Sequence, residues 1–522
     1  MHNVALYFDN NIDQIPFVLV KQNGVSRIYR DFRKFRLLPD TITLGFGDAI
    51  DSLRRLQVKR QVDQKRIEIV FALNIGYSKG DQTKKWQFRK QDIIGSKLSK
   101  ELTASIKKYD NSEIGWEEFS PVLFAAKNEL LDSVETVYSE LVIAYSSVNA
   151  YRQSWLDMEH KIDSYFMQNQ FDGIEVDRQK IEKLLKDLNF QKYSALLYLE
   201  QNHNLDISSA YLSDEYISSL VLQDVKELER TEELGDLIQV LDGDDKRIDA
   251  ISKVRECKID FANLIKHYSL DGSQCIYPQY DTIASSSGRI FISSPGTQYL
   301  KKSMRDIFVT RPGFRLCYFD FRNYEPGITA GLSGDQLFIE YYSSGDMYLK
   351  IATELYRNPS FRKQVKFAIL ASLYGMSPES LAQHFVRQRD FDPHEVVGLL
   401  ESFNIFQMWK KAIIDSAVTQ KEVIELIYTR KFTPERIWKA KTSALNHVIQ
   451  STGSRILKKC INDVSQLPGV RVLIPMHDAL LCELSLDNYA EIEDQIVSLM
   501  ESVFRSEVIN VTSKVVVGNF CE

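Results

Sequence analysis

An α/β, multidomain fold is predicted by three observations. Short apolar runs with strand character recur at Val4–Phe8, Phe17–Lys21, Leu316–Phe321 and Val472–Ile474. A helix-rich stretch follows Pro121 to about residue 170, with apolar residues near helical period and no internal Pro or Gly. The length, 522 residues, is enough for two to four domains around substantial cores.

In chain order, residues 1–75 read as a small α/β unit. Val4–Phe8 and Phe17–Lys21 are strands, and Asn23-Gly24 supplies a type I′ hairpin signal before Val25–Tyr29. Thr41–Gly45 is a further strand, Asp48–Arg60 a helix and Ile67–Asn74 a buried strand. Residues 76–115 are polar, with Lys79, Lys84, Lys85, Arg89 and Lys90 around Trp86 and Phe88. That interleaving suits either a solvated linker or a track for single-stranded nucleic acid. Asp177 is an N-cap for a helix over Arg178–Leu188, and helices continue to about Tyr268, with Asp242-Gly243-Asp244-Asp245 as a turn. Val472–Ile474 and Ala479–Glu483 flank His477-Asp478 as a hairpin, and Val508–Val517 is one more strand.

Composition narrows the function. With 44% hydrophobic and 26% charged residues the chain is ordinary for a globular protein, and a net charge of −6 is not that of a generic nucleic-acid binder. A cleft needs only local positive potential. The six cysteines (257, 275, 317, 460, 482, 521) show no C-x-x-C and no Cys/His cluster, which points to a reducing, cytoplasmic setting. No signal-peptide layout and no 18-residue apolar run appear, so no membrane is expected. A Walker G-x4-G-K-[ST] is absent, which argues against helicase or ATPase activity.

Two aspartates carry the chemistry. Asp320 ends the apolar run Leu316–Phe321, and Asp478 follows Val472-Leu473-Ile474-Pro475-Met476-His477. Between them, Arg362, Lys366, Leu370 and Tyr374 step by four residues, so each lies about 40° around a helix from the last. The face they form is roughly 18 Å long, enough to reach from a triphosphate tail to a nucleobase. An Arg guanidinium clamps phosphate oxygens bidentately, and Lys acts as a compact point charge. Paired carboxylates for divalent cations and a cationic helix for a triphosphate are the parts of a two-metal nucleotidyl transferase.

The surrounding motifs resemble those of family A DNA polymerases, the family of bacterial DNA polymerase I. Asp320-Phe321-Arg322-Asn323-Tyr324-Glu325, continuing to Gly334-Asp335, resembles the first palm motif. Arg362 through Tyr374-Gly375-Met376-Ser377 resembles the fingers helix, and His477-Asp478-Ala479-Leu480-Leu481-Cys482-Glu483 the last palm motif. Ser287-Gly288-Arg289, Ser293-Ser294-Pro295 with Gln298, Asn446 with Gln450-Ser451-Thr452, and Gly173-Ile174-Glu175-Val176-Asp177 at the start of the thumb also match in family order.

The resemblance implies a right-hand fold: a helical connection and thumb over 116–269, palm over 270–345 and 436–522, and fingers over 346–435. Residues 1–115 would form a ribonuclease-H-like domain plus linker. There Asp9-Asn10-Asn11 replaces the family's D-x-E, so the exonuclease is expected to be degenerate, although Asp13, Asp48 and Asp51 could supply substitutes. The implied activity is templated addition of dNTPs to a primer 3′-hydroxyl, without proofreading, by a monomer on primer–template DNA. Asp320, Asp478 and the Phe321 carbonyl would hold two Mg²⁺, with Mn²⁺ able to substitute. Arg362 and Lys366 take the triphosphate, Lys366 also protonating pyrophosphate, and Leu370 and Tyr374 border the incoming nucleotide. Glu325 falls at the steric gate. Arg289, Gln298, Asn446, Gln450 and His477 match primer–template contacts.

The departures are Leu370 for an aromatic, Ala479 for an acid, Pro475 for a polar residue, and Pro326-Gly327 for Leu-Arg. They keep open a template-relaxed or lesion-tolerant transferase and a non-catalytic DNA-binding protein.

Overall fold

The computed structural model describes residues 4–8, 17–29, 42–46, 77–78, 98–110, 113–146, 150–203, 246–269, 272–282, 284–293, 295–386, 388, 390–432, 434–518 and 520–521. At the N-terminus, Val4–Phe8 pairs antiparallel with Phe17–Gln22 and parallel with Ile42–Phe46, and Phe17–Gln22 pairs antiparallel with Val25–Tyr29. Asn23 and Gly24 both take positive φ, 51° and 79°, which is what a two-residue I′ turn demands. Asp9-Asn10-Asn11, Asp13, Asp48, Asp51, the expected elements over 48–60 and 67–74, the basic stretch 79–90 and the 242–245 turn lie outside the described residues.

Helices Lys100–Asp110, Trp116–Ser146 and Ala150–Asp172 follow. Gly173 then turns the chain at φ 73°, where a Cβ would stand 2.7 Å from the Tyr277 ring. Asp177 caps the next helix: its Oδ1 accepts from the Lys180 N–H at 3.1 Å. That helix runs to His203, well past the expected Leu188, and packs along Lys246–Leu264 as a two-helix projection.

The central sheet has the order Val470–Pro475, Ala479–Ser485, Phe314–Phe321, Val515–Gly518, antiparallel throughout. In Phe314–Phe321, Cys317, Phe319 and Phe321 are buried, so the pleat turns Asp320 to the other face. The last strand is shorter than the expected Val508–Val517. Before it, Ser513 Oγ donates to the Arg322 carbonyl at 2.9 Å and the Arg322 N–H donates to the Lys514 carbonyl at 2.8 Å. These bonds tie the segment to the turn after Phe321, and ladder pairing begins only at Val515.

Between the halves of the sheet lie helices Met347–Tyr356, Arg362–Leu373, Pro378–His384, Pro393–Ser402 and Asn404–Gln420, then the hairpin of Glu422–Ile424 with Thr429–Lys431. The long helix Ala440–Val464 and helix Tyr489–Glu507 back the sheet. One apolar cluster runs from Ile162 to Phe520 through sheet and insertion alike, so the elements that carry the site share a close-packed base.

Behind the sheet sits a dry ionic network. Lys458, 1% exposed, donates to Glu159, 0% exposed, at 2.5 Å, and Tyr428 Oη donates to the same Glu159 oxygen at 2.5 Å. Arg455 pairs with Glu425 at 2.8 Å and with Glu507. The Tyr428 ring lies flush on Gly288, where a Cβ would meet it at 2.2 Å, so this network supports the turn that presents Arg289.

Candidate active site

Sheet register brings the two aspartates together. Asp320 sits opposite Ala479, and the Phe321 N–H donates to the Asp478 carbonyl at 3.1 Å, so the strand end and the hairpin turn adjoin. The Phe321 ring is in the core, stacked on Tyr324 at 4.8 Å, which leaves only its backbone for the cleft. Desolvation, then the charges of Asp320 and Glu325, push the Asp478 carboxyl up to about 7. Burial likewise raises Asp320, against the pull of Lys302 and Lys366. The Lys366 charge draws both carboxyls down, against the effect of burial.

On that helix, Val365, Ala368, Ile369 and Leu373 face the core, while Arg362 and Leu370 are half-buried and Lys366 and Tyr374 exposed. The spacing of four therefore forms an open face, as expected. Arg362 Nε donates to Asp346 Oδ2 at 2.6 Å, and this bond holds the Asp346 carboxyl low although burial alone would raise it. The helix ends at Tyr374 and Gly375, with Gly375 at φ 86°. A Cβ there would stand 2.5 Å from the Thr442 carbonyl, so glycine lets the helix end approach the start of Ala440–Val464.

Glu325, in the first turn of helix Tyr324–Ser333, is gripped from two sides. Arg289 donates to Oε1 at 2.9 Å, and the Tyr374 hydroxyl donates to Oε2. One concavity beside it is lined by Arg289, Glu325, Gln450, His477 and Asp478, with Tyr324, Ile449 and Gly453. Withdrawal from water, and the Arg289 charge, hold the His477 imidazole down at about 4. Asn446 lies one helical turn before Gln450 on the same helix.

Gln298 departs from the expectation of a DNA contact. Its amide nitrogen donates to the Pro475 carbonyl at 2.6 Å and to the Ile290 carbonyl at 3.1 Å, and its oxygen accepts from the Ile292 N–H at 3.0 Å. These three bonds make it a brace between strand Phe291–Ser293 and the aspartate hairpin.

Two of the departures from the motifs, Gly327 and Ala479, have physical reasons. A Cβ on Gly327 would fall 2.5 Å from the Tyr342 hydroxyl, so Tyr342 occupies the space a side chain there would need. Ala479 is fully buried against Asp320's strand, where a longer acid has no room without repacking. Asp346 and Tyr348 also meet the cationic helix, from the start of helix Met347–Tyr356, and no periodic signal in the sequence marks them. Among the described residues, no group of three or more Asp, Glu, His or Cys side chains converges as a metal site.

A family model described as DNA polymerase family A matches residues 177–519. The chain belongs to DNA polymerase family A. It is similar to DNA polymerase I of Chloroflexus aurantiacus, 23% identical over 268 residues, which cover 47% of this chain and 28% of that protein. The thermostable DNA polymerase I of Thermus filiformis is 24% identical over 262 residues, 45% of this chain and 31% of its own. For DNA polymerase I of Mycobacterium tuberculosis the figures are 24% over 260 residues, 44% and 28%. The match thus spans less than a third of these relatives. In fold, the chain resembles the POL domain of Pol1 from M. smegmatis, in a complex with DNA primer-template and dNTP. That match has a TM-score of 0.72 at 16% identity and covers 99% of this chain and 94% of the other. The right-hand polymerase fold is therefore present. Among the described residues, no helix is long and apolar enough to cross a membrane.

Proposed function

We propose that this chain is a DNA-templated DNA polymerase that adds dNTPs to a primer 3′-hydroxyl and does not proofread. The observation that carries this reading is the register that sets Asp320 beside Asp478, with the Lys366 charge acting on both. Two carboxylates whose protons are held by desolvation, Asp478's also by the Asp320 charge, form a hard-oxygen site that calls for a divalent cation, Mg²⁺ or Mn²⁺. Magnesium ordinarily takes one or two protein carboxylates and leaves its other positions to water and phosphate oxygens, so a third side chain is not required. Asp320, Asp478 and the Phe321 carbonyl would hold two such ions. When bound, they would acidify the 3′-hydroxyl and neutralise charge on the α-phosphate and departing pyrophosphate.

The other residues position the reactants. Arg362 and Lys366 grip the triphosphate, and Lys366 is the proton donor to pyrophosphate. Leu370 and Tyr374 border the new base pair. Glu325, clamped by Arg289 and Tyr374, crowds the sugar 2′ position. Asn446, Gln450, His477 and Arg289 line the duplex side, where donors read acceptors common to all base pairs. We assign a helical connection and thumb to 116–269, the palm to 270–345 and 436–522, and the fingers to 346–435. Residues 1–115 would be a degenerate exonuclease-like domain with linker. The protein would act as a monomer, and the unbridged Cys257, Cys317, Cys460 and Cys482 favour a reducing cytoplasm.

Primer extension with each dNTP and each rNTP, with and without template, tests the reading. Template-directed incorporation of dNTPs in preference to rNTPs is expected. Template-independent addition would instead support the relaxed transferase, and no incorporation of any nucleotide would overturn the reading.

A further inference from the structure

Arg362 and Lys366 share one aromatic neighbour. The Arg362 guanidinium carbon lies 5.8 Å, and the Lys366 ammonium 5.9 Å, from the ring centroid of Tyr348. Tyr348 is only 1% exposed and sits in the first turn of helix Met347–Tyr356. The Asp346 side chain caps that helix through the Leu349 N–H at 3.1 Å and also receives Arg362 at 2.6 Å. One helix start therefore offers the two cations a carboxylate and a π face, both fixed by the fold.

We propose that Tyr348 is a positioning residue for nucleotide binding: its ring seats Arg362 and Lys366 side by side so that both meet one triphosphate. This rests on the polymerase reading above. Long cationic side chains lose rotamer freedom when they grip a ligand, and a preformed seat removes part of that cost before the nucleotide arrives. A ring face attracts both cations without neutralising either, so full positive charge stays available to phosphate. Asp346 acts differently, because a carboxylate competes with phosphate for the same guanidinium. The ring holds the pair together, and the carboxylate occupies only Arg362.

The attraction is electrostatic, which separates it from packing. The test replaces Tyr348 with phenylalanine and then with mono-, di- and trifluorinated phenylalanines, which keep the ring's shape while draining its face of negative potential. The readouts are the equilibrium Kd of a dNTP for the protein–primer–template complex, KM and kcat for incorporation, and the Kd for primer–template alone. Phenylalanine is expected within about twofold of wild type. Along the fluorinated series the nucleotide Kd and KM should rise stepwise, to about five- to tenfold in total. DNA affinity and kcat should stay level. A flat Kd and KM series, or a loss confined to kcat or DNA binding, overturns the proposal while leaving the polymerase reading intact. Loss of template-directed incorporation in the wild-type protein itself would be the failure of that reading instead.

Discussion

Asp478 carries a carboxyl that its surroundings push from an ordinary 3.8 to about 7. Between those values the cation-free native state holds a proton that the unfolded chain has shed, so this group's contribution to stability falls as pH rises through that window. A bound divalent cation opposes the loss by favouring the ionised form. Mg²⁺ is therefore expected to raise the Tm more at about pH 8 than at about pH 5, by scanning calorimetry, and Asp478→Asn should remove most of that difference. An equal Mg²⁺ effect at both pH values would contradict the assignment. Leu370, half-buried on helix Arg362–Leu373, makes a separate prediction. An aliphatic chain cannot stack on a nucleotide as a ring does, a difference of about 0.5–1.5 kcal/mol or two- to tenfold in affinity. Leu370→Phe should lower the KM for dNTPs a few-fold in steady-state kinetics. An unchanged or higher KM in a folded variant would mean that the leucine belongs to a pocket with no place for a ring.

The strand Phe314–Phe321 was legible because a half-buried strand alternates, and helix Arg362–Leu373 because its outward face repeats every four residues. Asp177 and Asn23-Gly24 were legible as local chemistry, since a cap and an I′ turn are fixed by the residues that form them. What stayed hidden depends on contacts between distant segments. Val508–Ser513 has strand composition, yet the Ser513 hydroxyl and the Lys514 carbonyl bond to the turn after Phe321 and the Val508 N–H to Phe504. Gln298 has the chemistry of a DNA contact, and the fold turns its amide onto three backbone groups. Glu159 and Lys458 gave no local sign that helix Ala150–Asp172 and helix Ala440–Val464 exchange a buried charge pair. Removing one partner there strands the other charge, at a cost of about 3–5 kcal/mol, whereas removing both is far milder. Lys458→Met should therefore destabilise strongly in urea unfolding, and Glu159→Gln with Lys458→Met should recover much of the loss. Additive losses would show that the two do not act as a pair.

The molecule gathers its function into a small part of its surface. A net charge of −6 coexists with Arg362 and Lys366 on one helix face, so under the proposed function local potential and not overall charge would attract the nucleic acid. The N-terminal strands Val4–Phe8, Phe17–Gln22, Val25–Tyr29 and Ile42–Phe46 form a sheet of their own, and the motif just after the first of them has an amide, Asn11, where a second metal-binding carboxylate is expected. The purified protein should leave a mismatched primer 3′ end intact with Mg²⁺ or Mn²⁺ in a time-course nuclease assay. Exonuclease activity that disappears in Asp9→Ala would show that this domain is live. The polymerase assignment itself rests on Asp320 and Asp478 acting on metal and not on DNA. Single-turnover primer extension by Asp320→Ala and Asp478→Ala, measured beside primer–template affinity, tests it most directly. Each variant should lose at least about a hundredfold in rate while the DNA Kd stays within about twofold. Extension within about tenfold of wild type by either variant would contradict the two-carboxylate site.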